Sequence, residues 1–393
     1  MIIRARPKYL LEEDFIAIDK TGKESISQQE CYFNRGSSAL KFVLENLVSF
    51  LEKDITVCMQ SLNCQTVLEA ALEVPGVNVF LSDIKTNDFS ISLSFLEDNY
   101  DKIDVLFLLH YQGLINTEYD EIIEFCKENK IIVIEDLAHV LEGSHTLKGD
   151  FGIYSYAFDK PLTSFSGGKV EINFKSNEFI NSFLDNYNSI QFENKSSVEK
   201  DIKLLKYFMR ISKEGEFKSN LDNRAFVNIL IGRFSKESIT KLLNNNLLYF
   251  IFRVLFKFKS KISKPKSINE YEVLRLDYKK ISLIKMQYER SLHTRSDLLK
   301  LQNEIINKLI KSNVVSEINT KCFWNRISFI PKNNKLLSKE VQHGNFNWPT
   351  PLHVMYSELP NVKTLESYPN TSFVSKNIVN FPCWSEKALD YLS

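Results

Sequence analysis

A carboxylate and a lysine in one short stretch have the types and spacing that chemistry on an aldehyde cofactor needs. Asp136 ends an apolar run, IIVIE, and Lys160 follows a second run, GIYSYAF. A lysine amine condenses with an aldehyde as a Schiff base. A carboxylate pairs with the ring nitrogen of pyridoxal phosphate and keeps it protonated, so that the ring can take up electrons. Asp136 and Lys160 are therefore predicted to be catalytic residues that work with pyridoxal 5′-phosphate (PLP).

A second candidate feature is the turn Gly36-Ser37-Ser38, which enters a helical stretch at Ala39. The start of a helix presents free backbone N–H groups and the positive end of the helix dipole. This turn is therefore predicted to bind the cofactor phosphate. The alternative is that the two serines are ordinary N-cap residues.

The elements that must position these residues alternate between strands and helices in the first half of the chain. Short apolar runs such as ITVCM, VNVFL, DVLFLL and IIVIE are separated by amphipathic stretches. This alternation predicts an α/β fold, in which helices cover both faces of a mostly parallel sheet. Ligands of such sheets lie beyond the carboxyl ends of the strands. Asp136, His110 and the pair Ser82-Asp83 all fall at those ends.

The order and spacing of several motifs resemble the DegT/DnrJ/EryC1/StrS sugar aminotransferase family. The strand that ends in Glu135-Asp136-Leu137-Ala138-His139 is followed by Ser155, Lys160 and the pair Gly167-Gly168, as in that family. The segment NRGSSAL (34–40) is similar to its S-G-T-x-A-L motif. The resemblance implies the PLP transferase fold of type I, with a sheet of the seven-stranded type and a smaller α+β C-terminal domain.

The resemblance also implies roles for individual residues. Ser155 and the Gly36–Ser38 turn would bind the phosphate, and His139 would lie near the cofactor ring. Cys64 stands where the family usually has an aromatic ring that stacks on the cofactor. Arg275 matches the arginine of an N-x-R element whose asparagine is replaced here by Val273, although Asn269 is close by. Arg275 and His353 are the candidate substrate residues, and His110 is expected to support the site.

Each of these residues also has a plainer interpretation. Lys160 precedes Pro161 and would then be a solvated turn residue. Asp136 would cap a helix, Ser155 would be a simple strand serine, and His139 would be a buried histidine with satisfied hydrogen bonds. The combination of the motifs favours the functional interpretation.

By resemblance, the chain is expected to be a PLP-dependent transaminase that moves an amino group from glutamate to a nucleotide-linked keto-sugar. The pathway would be surface polysaccharide or related glycan biosynthesis, and the enzyme would be a homodimer. Lys160 distinguishes the chain from related sugar dehydratases, which have a histidine in its place. Two alternatives remain: an aminotransferase acting on a non-sugar keto compound, and a non-catalytic or membrane-associated scaffold with the same fold.

Length and composition agree with a globular enzyme of about two domains. The chain has 393 residues, is 44% hydrophobic and carries a net charge of +1, which gives no bias toward nucleic acid. The scattered cysteines indicate neither disulfides nor a zinc site, and no metal site is predicted. The N-terminus has no signal-peptide core, so a cytoplasmic location is expected. The predicted organisation is an N-terminal arm (1–30), a large PLP-binding domain (31–175), a helical insertion or connector (176–275) and a small C-terminal domain (276–393).

Residues 247–266 form the least expected segment. A nearly continuous apolar run is followed by five lysines. The run is too short to span a bilayer, but an apolar face with a basic flank can lie on an anionic membrane surface. A possible peripheral contact with the inner membrane face is therefore predicted. The alternative, which we favour, is an insertion that packs within the protein while its lysines are solvated.

Overall fold

The structure is a computed structural model of the 393-residue chain. It describes residues 9–18, 30–157, 159–213, 272–315, 318, 322–332, 351–381, 383–384 and 389. The segment 247–266 and Asn269 lie outside the described residues, so the predicted membrane contact remains a prediction. No helix of the described part combines the length and apolarity that crossing a membrane requires. The cytoplasmic location also remains a prediction.

One large sheet organises the described part of the chain. Its order is β1-β7-β6-β5-β4-β2-β3-β9. The pairs among β2 to β6, and the pair β3/β9, are parallel, whereas β7 pairs antiparallel with β1 and β6. The predicted fold class is confirmed, and a two-residue strand from the C-terminal part adds an eighth strand at one edge. The strands are β1 (Cys31–Phe33), β2 (Ile55–Gln60), β3 (Val77–Ser82), β4 (Val105–Leu109), β5 (Ile132–Asp136), β6 (Phe151–Ser155), β7 (Gly168–Ile172) and β9 (Val362–Lys363).

The helices of the described residues cover both faces of this sheet. One apolar layer joins the sheet to α2, α3 and α6, and another joins it to α4 and α5. The helices are α1 (Asp14–Ala17), α2 (Gly36–Leu51), α3 (Gln65–Leu72), α4 (Leu93–Glu97), α5 (Tyr119–Glu128), α6 (Asn177–Ser189), α7 (Lys195–Lys213), α8 (Tyr278–Lys311), α9 (Leu352–Tyr356) and α10 (Pro369–Asn377).

The sequence pattern of each element follows from this layering. All five residues of β4, VLFLL, are buried, because a central parallel strand is covered on both faces. Helix α5 buries Tyr119, Ile122 and Cys126, which recur at helical spacing, and it exposes its charged residues.

The strand order has a switch point at β2. The chain passes from β2 to its neighbour β3, and then returns to form β4 on the other side of β2. In open α/β sheets, a crevice opens beyond the carboxyl ends of the strands at such a point.

The C-terminal part of the chain contributes to two regions. Strand β8 (Ile327–Phe329) pairs antiparallel with β10 (Val379–Phe381), and this pair packs with α8 in a separate apolar cluster. Strand β9 instead joins the edge of the large sheet beside β3, where the backbone N–H of Val79 donates to the carbonyl of Asn361 at 2.8 Å. The domain boundaries drawn from the sequence remain predictions.

Candidate active site

A cavity of about 350 Å³ lies beyond the carboxyl ends of β4, β5 and β6. Seven of the residues predicted from the sequence line it, and they come from different elements. Helix α2 contributes its first turn, α3 its N-cap residue, and β5 and β6 their last residues. The seven residues are Gly36, Ser37, Cys64, Asp136, His139, Ser155 and Lys160.

Asp136 is the last residue of β5 and is only 5% exposed. Its Oδ1 accepts a hydrogen bond from the backbone N–H of Ala138 at 3.0 Å. Burial raises the pKa of this carboxyl to about 6, although the Ala138 N–H and the positive charge of Lys160 act in the opposite direction. The cavity therefore contains a buried carboxylate that lacks full compensation for its charge.

The start of α2 lies against the end of β6. The N-cap residue Arg35 has an extended backbone, and no side chain caps α2. The first backbone N–H groups of α2 therefore remain available to bind a ligand. A Cβ atom on Gly36 would lie 3.1 Å from Cβ of Ser155. A Cβ atom on Gly168 would lie 2.5 Å from the carbonyl oxygen of Arg35. These two glycines let the Ser155 hydroxyl and the helix start share one wall of the cavity.

Lys160 returns to the cavity five residues after Ser155. The chain leaves β6 through a turn in which the backbone N–H of Lys160 donates to the carbonyl of Ala157 at 3.1 Å. Within the described part of the chain, its Nζ forms no ion pair or hydrogen bond. Its charge acts on both Asp136 and His139, because it lowers the pKa of each group.

His139 is held in one tautomer. The backbone N–H of Gln112 donates to its Nδ1 at 3.2 Å, so Nδ1 is the acceptor and Nε2 carries the hydrogen of the neutral ring. Burial lowers the pKa of His139 well below its usual range, and the positive charges of Lys160 and Arg326 add to this effect. His139 is thus a neutral ring with an N–H group.

Gln112 itself is held by the C-terminal part of the chain. It has a left-handed backbone conformation, with φ of 54°. Its carbonyl and its Oε1 accept hydrogen bonds from the backbone and side chain of Asn325, at 2.7 and 3.0 Å. The His139 ring is therefore held by the turn at Gln112, which is itself hydrogen-bonded to Asn325 of the C-terminal part.

Three predicted residues do not line the cavity. Ser38 lies on another side of α2, where its hydroxyl donates to the carbonyl of Glu272 at 3.2 Å. The guanidinium of Arg275 packs over two aromatic rings, at 4.8 Å from the ring centre of Tyr187 and 4.4 Å from that of Phe192. The remaining residue is His353.

The ring of His353 stacks on Tyr368 with 4.0 Å between ring centroids. Its Nδ1 lies 2.6 Å from Oγ of Ser61, next to β2 rather than in the cavity wall.

Two residues at strand ends, Asp83 and His110, make contacts within the fold and do not line the cavity. Asp83 accepts hydrogen bonds from the backbone N–H groups of Asn370 and Thr371, at 3.1 and 2.8 Å, in the first turn of α10. His110 contacts Glu135, whose side chain leaves β5 on the face opposite to that of Asp136.

Sequence reasoning missed several residues of the cavity wall. Arg35, which is exposed, directly precedes the Gly36 turn, so its position next to that motif is the sequence signal for it. Ser166 lies next to the Gly167-Gly168 pair, and Asn63 lies next to Cys64. Arg326, which does not line the cavity but lowers the pKa of His139, comes from a segment that carried no recognisable motif.

Comparison with known proteins agrees with the geometry of this cavity. Residues 27–194 match the sequence model of the DegT/DnrJ/EryC1/StrS aminotransferase family. The family predicted from the motifs is therefore confirmed over this segment. The family is PLP-dependent, so the enzyme class and the cofactor that the motifs predicted are confirmed with it.

Solved structures of low sequence identity share this fold. PseC of Helicobacter pylori, an aminotransferase involved in the biosynthesis of pseudoaminic acid, has a TM-score of 0.60 at 13% identity, over 100% of this chain and 95% of its own. A DegT DnrJ EryC1 StrS aminotransferase from Brucella abortus has a TM-score of 0.59 at 15% identity, over 98% and 89%. The E. coli GDP-4-keto-6-deoxy-D-mannose-3-dehydratase with bound hydrated PLP has a TM-score of 0.57 at 14% identity, over 100% and 92%.

Proposed function

We propose that this chain, a PLP-dependent sugar aminotransferase of that family, transfers an amino group from glutamate to a nucleotide-linked keto-sugar. The observation that carries the proposal is the convergence of Lys160, Asp136, Ser155 and the start of α2 on one cavity. An amine, a buried carboxylate and a phosphate cradle are the three groups that PLP requires of a protein. The amino sugar would serve surface polysaccharide or related glycan biosynthesis.

The phosphate end of the cavity fits the cofactor. The uncapped first turn of α2 offers backbone N–H groups and the positive end of a helix of 16 residues. The hydroxyl of Ser155 lies beside this turn, because Gly36 allows the close approach. The first turn of α2 and Ser155 would hold the phosphate.

The ring end of the cavity also fits. Among the described residues, no donor other than the Ala138 N–H bonds the Asp136 carboxylate. A buried carboxylate with a raised pKa is stabilised by a cation at hydrogen-bond distance. The protonated ring nitrogen of PLP is such a cation, and Asp136 would hold it.

When bound, PLP supplies the aldehyde carbon that takes up the amino group and a ring that accommodates electrons released at the donor's α-carbon. Lys160 is the group that moves protons. Its Nζ would accept the proton from the α-carbon of the amino donor and deliver it to the carbon that was the aldehyde carbon of the cofactor, and in the second half-reaction it would carry a proton from that carbon to the acceptor carbon. His139 holds its proton at Nε2 and would act as a neutral hydrogen-bond donor rather than as an acid.

A positively charged residue of the cavity wall favours an anionic substrate. Arg35 is exposed at the cavity and carries a charge that suits the carboxylate of glutamate or the phosphates of a nucleotide sugar. The names of PseC and of the mannose dehydratase, both sugar-modifying enzymes, also favour a sugar acceptor. The homodimer that the family resemblance implies is part of the proposal, and light scattering of the purified protein tests it.

The first experiment is an absorption titration of the purified protein with PLP. We expect a visible band from bound cofactor, which glutamate bleaches and which is absent in Lys160→Ala. Lys175→Ala is the matched control, because Lys175 contacts Asn173 away from the cavity and its loss leaves the band unchanged. A wild-type protein without the band would refute the proposal and favour the non-catalytic scaffold.

The acceptor requires a second experiment. The cofactor is first converted with glutamate, and nucleotide-linked keto-sugars or small keto acids are then added separately. Return of the original band with a keto-sugar supports the proposed substrate class. Return with small keto acids alone would show an aminotransferase of a non-sugar compound.

A further inference from the structure

Two histidines and a glutamate meet on the face of β5 opposite to that of Asp136. Nε2 of His110 lies 3.0 Å from Oε2 of Glu135, and Nε2 of His145 lies 2.8 Å from the same oxygen. The three ligand atoms all lie within 4.8 Å of one another. Because side chains alternate along a strand, Glu135 and Asp136 of β5 project to opposite faces. This His110–Glu135–His145 cluster is therefore separate from the proposed active site.

The glutamate of this cluster is oriented by its surroundings. Its Oε1 accepts hydrogen bonds from the hydroxyl of Tyr119 at 2.7 Å and from the backbone N–H groups of Lys148 and Gly149, at 3.0 and 2.7 Å. These three donors hold the carboxylate so that Oε2 faces both imidazoles. Such outer contacts orient the ligands of metal sites and raise their affinity.

The ligand set suits a borderline transition metal. Two imidazole nitrogens and one carboxylate oxygen are a common three-residue set for Zn²⁺, with bonds of about 2.0–2.2 Å and a fourth position for water. Ligands of a tetrahedral site with such bonds lie roughly 3.3 Å apart. The two separations from histidine nitrogen to Glu135 Oε2, 3.0 and 2.8 Å, would grow by a few tenths of an ångström to admit the ion, and the two histidine nitrogens, which lie within 4.8 Å of each other, would adjust to the same spacing.

A second cavity reaches the cluster at His145. Its volume is about 590 Å³, and His145 forms part of its wall. Carboxylates outnumber cationic side chains in this wall, which favours the entry of a cation. The charged side chains of the wall are Glu30, Glu142, Glu171, Glu289, Lys169 and Lys285.

We propose that His110, Glu135 and His145 form a structural site for a divalent transition metal of the Zn²⁺ type. The ion would tie the loop that carries His145 to the ends of β4 and β5. It would act on stability, and it would bind with or without PLP because Glu135 and Asp136 project to opposite faces of β5. The absence of a cysteine motif explains why the sequence predicted no metal site.

The test is a Co²⁺ titration of the full chain, followed by the visible absorption that Co²⁺ shows in a tetrahedral protein site. We expect one Co²⁺ per chain, displaced by Zn²⁺, in the wild type, in Lys160→Ala and in the exposed-surface control His293→Gln. His145→Gln is expected to weaken binding at least about tenfold. Zn²⁺ should also raise the unfolding temperature of the wild type and not that of His145→Gln.

A sulfur ligand provides a second variant. His145→Cys should bind Co²⁺ with an added sulfur-to-metal charge-transfer absorption, which arises only if the side chain at this position bonds the ion. Wild-type protein that binds no Co²⁺, or equal binding in wild type and His145→Gln, would overturn the proposal. If His145→Gln does not fold, the absence of the charge-transfer absorption in His145→Cys overturns it instead.

Discussion

The Asp136→Asn substitution is expected to stabilise the cofactor-free protein. Asp136 is buried with one backbone hydrogen bond, and burial raises the pKa of its carboxyl to about 6. In the unfolded chain the same carboxyl has its ordinary pKa near 3.9. The folded state therefore destabilises the ionised form, and asparagine removes that ionisation.

The magnitude follows from the pKa difference. A shift of about 2 units, at about 1.4 kcal/mol for each unit, gives about 3 kcal/mol at pH values well above 6. A raised folded-state pKa means that the folded protein binds more protons between about pH 4 and pH 6, so its stability falls as the pH rises through this window. The advantage of Asp136→Asn is about 3 kcal/mol at about pH 8 and about half of that at about pH 5.

The assay is urea unfolding of cofactor-free wild type and variant at both pH values. The control is Asp297→Asn, because Asp297 is exposed on α8 and its one ion pair among the described residues is with Lys300 at 3.6 Å. Its effect is expected to stay within about 0.5 kcal/mol at either pH. An Asp136→Asn protein that is no more stable than wild type at the higher pH, or whose advantage is the same at both, would show that the carboxyl is not destabilised by burial.

The same substitution is expected to harm function. If Asp136 holds the protonated ring, asparagine loses a charged hydrogen bond of about 1.5–3 kcal/mol, which corresponds to a rate loss of about 10-fold to 150-fold. Stability and activity would then move in opposite directions at one residue. An unchanged rate in a stabilised variant would refute the role of Asp136 while leaving the burial argument intact.

Three further outcomes follow from the structure. Gly168→Ala would place a Cβ 2.5 Å from a backbone carbonyl at the start of α2, so a loss of about 1–3 kcal/mol in stability and weaker PLP binding are expected in urea unfolding and absorption titration. A normal PLP affinity would contradict the proposed phosphate cradle. His139 should remain neutral with its hydrogen on Nε2 from about pH 8 to about pH 6, and nitrogen NMR signals that move over this range would contradict this. Lys280 is fully buried and bonds two carboxylates at 2.9 and 2.6 Å, so Lys280→Met should reduce the free energy of unfolding by about 3–5 kcal/mol. A loss below about 1 kcal/mol in urea unfolding would contradict this expectation, because it would show that the two buried carboxylates do not depend on the charge of Lys280.

The part of the candidate site that β5, β6 and α2 build was predictable because it depends on local order along the chain. Strand runs place their last residues at one edge of a parallel sheet, so Asp136 and Ser155 had to lie near each other. Lys160 could be predicted because it follows Ser155 by only five residues and returns to the same edge. The first turn of α2 was likewise visible as a glycine and serines before an apolar helix.

The remaining residues depend on contacts between distant parts of the chain. Consecutive helix residues point about 100° apart, so Ser37 and Ser38 could not both face the cavity. His353 finds Ser61 and Tyr368, and Arg275 stacks on rings of a segment that had no recognised motif. Periodicity carries no information about such pairings.

The late position of β9 in the chain affects folding during synthesis. Among the described residues, β9 pairs the outer edge of β3 at Val79 and Phe80, and Val362 comes 280 residues after β3 ends at Ser82. At a synthesis rate of about 5–20 residues per second, this edge waits about 14–56 s with free N–H and C=O groups. An open parallel edge of apolar residues is a template for pairing with another chain. During this interval, in which β3 has been made and β9 has not, the growing chain is therefore exposed to pairing with other chains through β3.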